Sequence, residues 1–93
     1  MNRIEIQGRV GDFIDFTGAA LDFDVVTFDG KNPETHHVHW AGPYAGSMFE
    51  ILRTGDRVMV IGSCRTLDAV TFIAAKSVFK IEATNPGDNH AAS

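Results

Sequence analysis

Residues Ile51 to Thr66 read "ILRTGDRVMVIGSCRT". An apolar stretch ends at Ile51-Leu52, Thr54-Gly55-Asp56 follows, and then the residues alternate. Val58 and Val60 fall on one face, with Gly62 and Cys64 in the same register. A turn signal followed by a period of two predicts a strand over 56–65. A glycine inside such a strand marks a bulge or a close backbone approach. What kind of sheet this strand joins depends on its neighbours.

Immediately upstream the period changes. From Pro43 to Leu52 the apolar residues are Tyr44, Met48, Ile51 and Leu52, with Phe49 beside them. That spacing predicts a short helix with one buried stripe, Pro43 near its start and Gly55 just past its end. Before the helix stand three alternating runs. Residues 3–10 alternate Ile4 and Ile6 with the polar residues Arg3, Glu5 and Gln7, and Gly8 interrupts them. Residues 20–28 put Leu21, Phe23, Val25 and Thr27 on one face, and Asp29-Gly30 closes the run with a turn signal. Residues 35–41 put His36, Val38 and Trp40 on one face and Thr35, His37, His39 and Ala41 on the other. Residues 70–81, rich in β-branched and aromatic side chains, predict a fifth strand. Three strands, a short helix and two strands is the order of an OB-fold, an all-β, five-stranded, partly open Greek-key barrel. A generic α+β sandwich is the alternative. The domain is expected over residues 1–82, and the polar tail 83–93 is expected to be disordered.

The chain has 93 residues, 44% hydrophobic and 22% charged, enough for one core. No apolar run reaches the roughly 18 to 20 residues of a membrane helix. The N-terminus, "MNRIEIQGRV", lacks the apolar block of a signal peptide. Cys64 is the only cysteine, which excludes an internal disulfide and agrees with a reducing cytoplasm. It is read as a small buried hydrophobe. A core this small favours self-association. The net charge of −4 argues mildly against a nucleic-acid partner, although a local basic stripe is compatible with it.

Residues Asn2 to Ile81 resemble the bacterial single-stranded DNA-binding proteins, an OB-fold family. The resemblance is carried by Asn2-Arg3-Ile4 and Gly8-Arg9-Val10-Gly11, by Asp22-Phe23-Asp24-Val25-Val26-Thr27, and by Glu34-Thr35-His36-His37-Val38 ahead of Gly42. It continues in Ile51-Leu52-Arg53-Thr54-Gly55, in Gly62-Ser63-Cys64-Arg65-Thr66, and in Thr71, Ile73, Ala75 and Ser77. The primosomal replication proteins are a shorter, dimeric branch of the same fold, and the chain resembles them in size. The resemblance implies a non-enzymatic binder of single-stranded DNA in replication, recombination or repair. It also implies a homodimer or homotetramer, replication proteins as partners, and no cofactor. The departures imply weak binding. Thr35 and Ala41 stand where the family has rings for base stacking. Leu67-Asp68-Ala69-Val70 is too tight a connection to carry the family's hairpin tryptophan, and the long acidic tail is missing. An OB module that docks proteins and has lost nucleic acid is the rival reading.

Arg3, Arg9, Arg53, Arg65 and Lys76 are the phosphate candidates, and Arg9 and Arg65 lie within matched motifs. His37 and His39 share the presumed binding face, where imidazoles stack on bases or meet phosphate when protonated. Their i, i+2 spacing also suits one metal ion, but no Cys, Asp or Glu stands at a complementary spacing along the chain, so no metal is expected. Asp22 and Asp24 share one strand face and are read as solvated charges that repel a phosphate chain. Phe28 is a base platform or an interface residue. Trp40 belongs to the core by the ungapped match and to the binding face if a bulge precedes Gly42. His36 and Phe79 are assigned to structure or to a subunit contact. No Gly-rich phosphate loop and no Ser/His/Asp set is present, so no catalysis is expected.

Overall fold

The computed structural model describes residues 2–82. The elements are β1 (Ile4–Phe16), β2 (Leu21–Asp29), β3 (Asn32–Trp40), α1 (Ala45–Ile51), β4 (Arg57–Leu67) and β5 (Val70–Glu82). The strands close into a barrel in the order β1-β2-β3-β5-β4. Only β3 and β5 run parallel. This is the all-β OB barrel that the order of elements predicts, with its helix between the third and fourth strands. The tail 83–93 lies outside the described residues.

Alternation builds the core. Leu21, Phe23 and Val25 from β2, Val38 and Trp40 from β3, Val58 and Val60 from β4, and Ile73 and Val78 from β5 all point inward. Trp40 is 7% exposed, so no bulge turns it outward, and it is removed from the binding candidates. α1 closes one end of the barrel. Its buried stripe is Ala45 and Leu52 with Met48 half-buried, while Tyr44 is the exposed N-cap residue and Ile51 faces solvent. The expected Tyr44–Ile51 stripe is thus displaced by one residue, because the helix begins at Ala45. The Phe49 ring stacks on Phe16 of β1 at 5.4 Å between centroids.

β1 runs six residues beyond the strand expected over 3–10. Val10 pairs with Val25, but Ile14 pairs with Phe23, so β1 gains two residues on β2 over that span. An excess of two preserves the inward–outward alternation. Ile14 therefore still packs on the core, and Phe13 faces out.

The Arg53–Asp56 turn has a defined anatomy. Gly55 takes φ +91°, a conformation that side chains disfavour. Asp56 Oδ2 accepts from the Arg53 backbone N–H at 2.8 Å and pairs with Lys80 Nζ at 3.0 Å. The Gly55 N–H donates to Val10 O, the Val10 N–H donates to Asp56 O, and Thr54 Oγ1 donates to Gly11 O. The turn is thereby fastened to the irregular middle of β1. Further on, a Cβ added at Gly62 would lie 2.3 Å from Ala74 O, so the strand needs glycine where β5 presses closest. The irregularity between Ile61 and Gly62 falls at this point.

The other end of the barrel holds a cavity of about 530 Å³ whose lining includes Ile4, Ile6, His36, Cys64 and Ile73. Cys64 pairs with the buried Ile73 but is exposed, because it sits at this open end rather than in the core. Asn2 extends the ladder there, exchanging two side-chain hydrogen bonds with the Cys64 backbone. Among the described residues no helix is long and apolar enough to cross a membrane.

Candidate nucleic-acid interface

The outward positions of the strands form one continuous face. His39 pairs with Asp22 and His37 with Asp24 across β2–β3, and His39 neighbours Ala74 across β3–β5. Phe72 and Arg65 are paired across β5–β4. Along this face lie four rings. Phe13 and His37 are 5.6 Å apart between centroids, and His39 meets Phe72 edge-on at 6.2 Å. Beside them is a groove of about 360 Å³ lined by Asp22, His37, His39, Leu67, Val70 and Phe72.

Leu67 and Val70 form the apolar wall of the groove. They are the last pair of the β4–β5 hairpin, whose turn is Asp68-Ala69 with φ +52° and +66°. Positive φ at both central residues gives the twist that a two-residue hairpin requires. The connection is as tight as its length predicts, and its shoulders rather than its tip supply the groove-lining side chains.

The carboxylates organise the imidazoles. His39 Nδ1 lies 2.8 Å from Asp22 Oδ1, His37 Nε2 lies 3.3 Å from the same oxygen, and His37 Nδ1 lies 3.0 Å from Asp24 Oδ1. Acids therefore do stand next to the histidines. They arrive from the neighbouring strand, which spacing along the chain does not reveal. Even so, no three such side chains among the described residues are arranged to hold a metal ion. Nor are Asp22 and Asp24 merely solvated charges, since both are engaged with imidazole.

A second groove, of about 440 Å³, gathers cations. Arg3, Arg65 and Lys76 line it together with Asn2, Ser63 and Ala74. Widely separated in sequence, these three meet because β1, β4 and β5 are adjacent. No acidic residue shares the lining, although Glu5 stands 3.9 Å from Arg3 on the exposed surface.

Other candidates are placed elsewhere. Arg53 Nη1 donates to Glu50 O and Leu52 O, capping the end of α1, and lines neither groove. Arg9 Nη1 donates to Gly55 O and so braces the turn. Phe28 is exposed near the β2–β3 turn and lines neither groove. His36 Nε2 lies 3.0 Å from Thr27 Oγ1 on β2. Phe79, exposed on β5, lines a separate cavity of about 620 Å³ with Trp40, Pro43, Tyr44 and Met48. Phe13 and Phe72 are not among the binding residues expected from the sequence, although alternation along β5 places Phe72 and Phe79 on different faces. The signal for Phe13 is the alternation of Phe13, Ile14, Asp15 and Phe16, which becomes readable once β1 is allowed through Gly11.

The fold defined here, a closed five-stranded barrel with a helix between β3 and β4, is shared with solved single-stranded DNA-binding proteins. One is the mitochondrial single-stranded DNA-binding protein Rim1 of S. cerevisiae, at 14% identity with a TM-score of 0.77, over 89% of this chain and 96% of that one. Another is the second single-stranded DNA-binding protein of Mycobacterium smegmatis, at 20% identity with a TM-score of 0.72, over 85% of this chain and 87% of that one. No family model and no curated protein matches the sequence.

Proposed function

We propose that this chain is a non-enzymatic single-stranded DNA-binding protein acting in replication, recombination or repair, with replication proteins among its partners. The observation that carries the reading is the pairing of a ring row, Phe13–His37 and His39–Phe72, with a groove holding Arg3, Arg65 and Lys76 on one barrel. Rings accept unpaired bases by stacking, and cations follow the phosphates. The fold's likeness to solved single-stranded DNA-binding proteins supports the same reading. Binding is weak and depends on salt, because few cations and small platforms share the load on an acidic chain.

The protein works as a homodimer or homotetramer. The exposed Phe79 and Ile81 on β5 are the surface that self-association would cover. The rival reading, a protein-docking module, draws on the apolar cavity between Trp40, Tyr44, Met48 and Phe79.

Titration of a labelled single-stranded oligonucleotide of about 30 nucleotides, longer than one OB site, tests the proposal at low salt. The label must report, since Trp40 is buried in the core. Saturable binding that is lost as salt rises supports it. No binding at low salt, or equal binding of duplex, overturns it and leaves the docking module.

A further inference from the structure

We infer that the Asp22–Phe72 groove favours bases that carry an exocyclic amine, such as cytosine and adenine, over thymine, the one DNA base that lacks it. This inference rests on the proposed binding of single-stranded DNA and specifies what that site reads.

The argument starts from the donors and acceptors of the groove. Its lining is apolar on one side, with Leu67, Val70 and Phe72, and polar on the other, with Asp22, His37 and His39. The donors on the polar side are engaged within the protein. His39 Nδ1 faces Asp22 Oδ1, and His37 faces a carboxylate oxygen with each ring nitrogen. Donation from His39 Nδ1 leaves Nε2 as an acceptor in the neutral imidazole. Asp22 keeps its second oxygen, which accepts no hydrogen bond among the described residues, and its side chain is one-fifth exposed. The groove thus offers a ring and two apolar walls to a base face, and acceptors alone to a base edge.

Cytosine and adenine bring an amine to such an edge, and acidic side chains accept from cytosine N4. Thymine brings one ring N–H flanked by two carbonyl oxygens. Those oxygens meet the Asp22 carboxylate as like partial charges, and the groove lining holds no lysine, arginine or hydroxyl to relieve them. Stacking against Phe72 tolerates every base; the part of the preference that the base edge sets falls to Asp22, and a substitution at Asp22 separates it from differences in stacking.

The test is competition among labelled oligo-dC, oligo-dA and oligo-dT of about 20 nucleotides, longer than the ~4–16 that one OB barrel covers. It uses the full chain at fixed salt and mildly alkaline pH, where cytosine strands stay unfolded. The expected result is oligo-dC and oligo-dA binding at least about fivefold tighter than oligo-dT, the low end of the discrimination that base-edge hydrogen bonds supply. Asp22→Asn supplies a donor and should erase the preference, mainly by strengthening oligo-dT. Glu34→Gln, outside both groove linings, should keep it. Circular dichroism and thermal melting verify that both variants are folded. Equal or tighter binding of oligo-dT, or a preference that survives Asp22→Asn, overturns the inference while DNA binding stands. Failure of all three strands to bind removes the proposed function and this inference with it.

Discussion

Lys80 Nζ, near the end of β5, lies 3.0 Å from Asp56 Oδ2 in the turn that leads into β4, and the carboxylate is only 1% exposed. The same ammonium donates to Ile51 O at 2.7 Å, and the same carboxylate oxygen accepts from the Arg53 N–H. One ion pair therefore joins the end of α1, the following turn and the last strand. It explains the order of residues in the Arg53–Asp56 segment. The glycine allows the reversal, the aspartate closes it, and the lysine neutralises a buried charge.

Asp56→Ala should destabilise the fold by about 3 kcal/mol, since it leaves the Lys80 ammonium without its counter-ion and the Arg53 N–H without its acceptor. Asp56→Asn keeps an oxygen for the Arg53 N–H and should cost visibly less. Urea denaturation of both variants measures the difference. Equal losses would show that the ion pair alone matters.

At Gly62, any side chain collides with Ala74 O. Gly62→Ala should cost about 2 to 3 kcal/mol as β4 and β5 are forced apart. Thermal melting reads the loss. An unchanged midpoint would mean that the irregularity at Ile61/Gly62 relaxes without cost.

Phe13→Ala and Phe72→Ala should each weaken single-strand binding by about 1 to 3 kcal/mol, the worth of one stacked base, and leave folding intact. Phe28→Ala should change binding little, because Phe28 lines neither groove. Titrations at one salt concentration rank the three. Were Phe28→Ala the most harmful, the strand would run over the β2–β3 turn instead.

Replacing Arg65 and Lys76 together with Ala should lower the slope of log affinity against log salt by about 1.4, at ~0.7 per phosphate on a single strand. Arg9→Ala should leave that slope unchanged and lower the melting temperature, because its guanidinium holds Gly55 O. Titrations across a salt series, paired with melting curves, separate the two effects.

Much of this architecture is legible in the chain. Val58 and Val60, Leu21 and Phe23, and Val38 and Trp40 alternate as inward residues must, and the change of period before Leu52 marks the helix. The length of β1 is not legible, because Gly8 and Gly11 look like punctuation while the strand continues through them. The site is less legible than the fold. Asp22 and His39 are 17 residues apart and meet only through the β2–β3 register. The meeting of Arg3 with Arg65 and Lys76 depends on barrel closure. Sequence periodicity assigns a residue to a face, but it does not specify which neighbour on the next strand it meets.

The Asp68-Ala69 turn bears on how a ligand is received. Its two residues leave almost no slack between β4 and β5, so Leu67 and Val70 are held by paired strands on both sides. A wall of this kind surrenders little conformational entropy on occupation, and affinity is not diminished by ordering a long arm. The same economy limits reach: a two-residue turn cannot fold over a bound strand, so the groove stays open to a passing polymer and does not enclose an end.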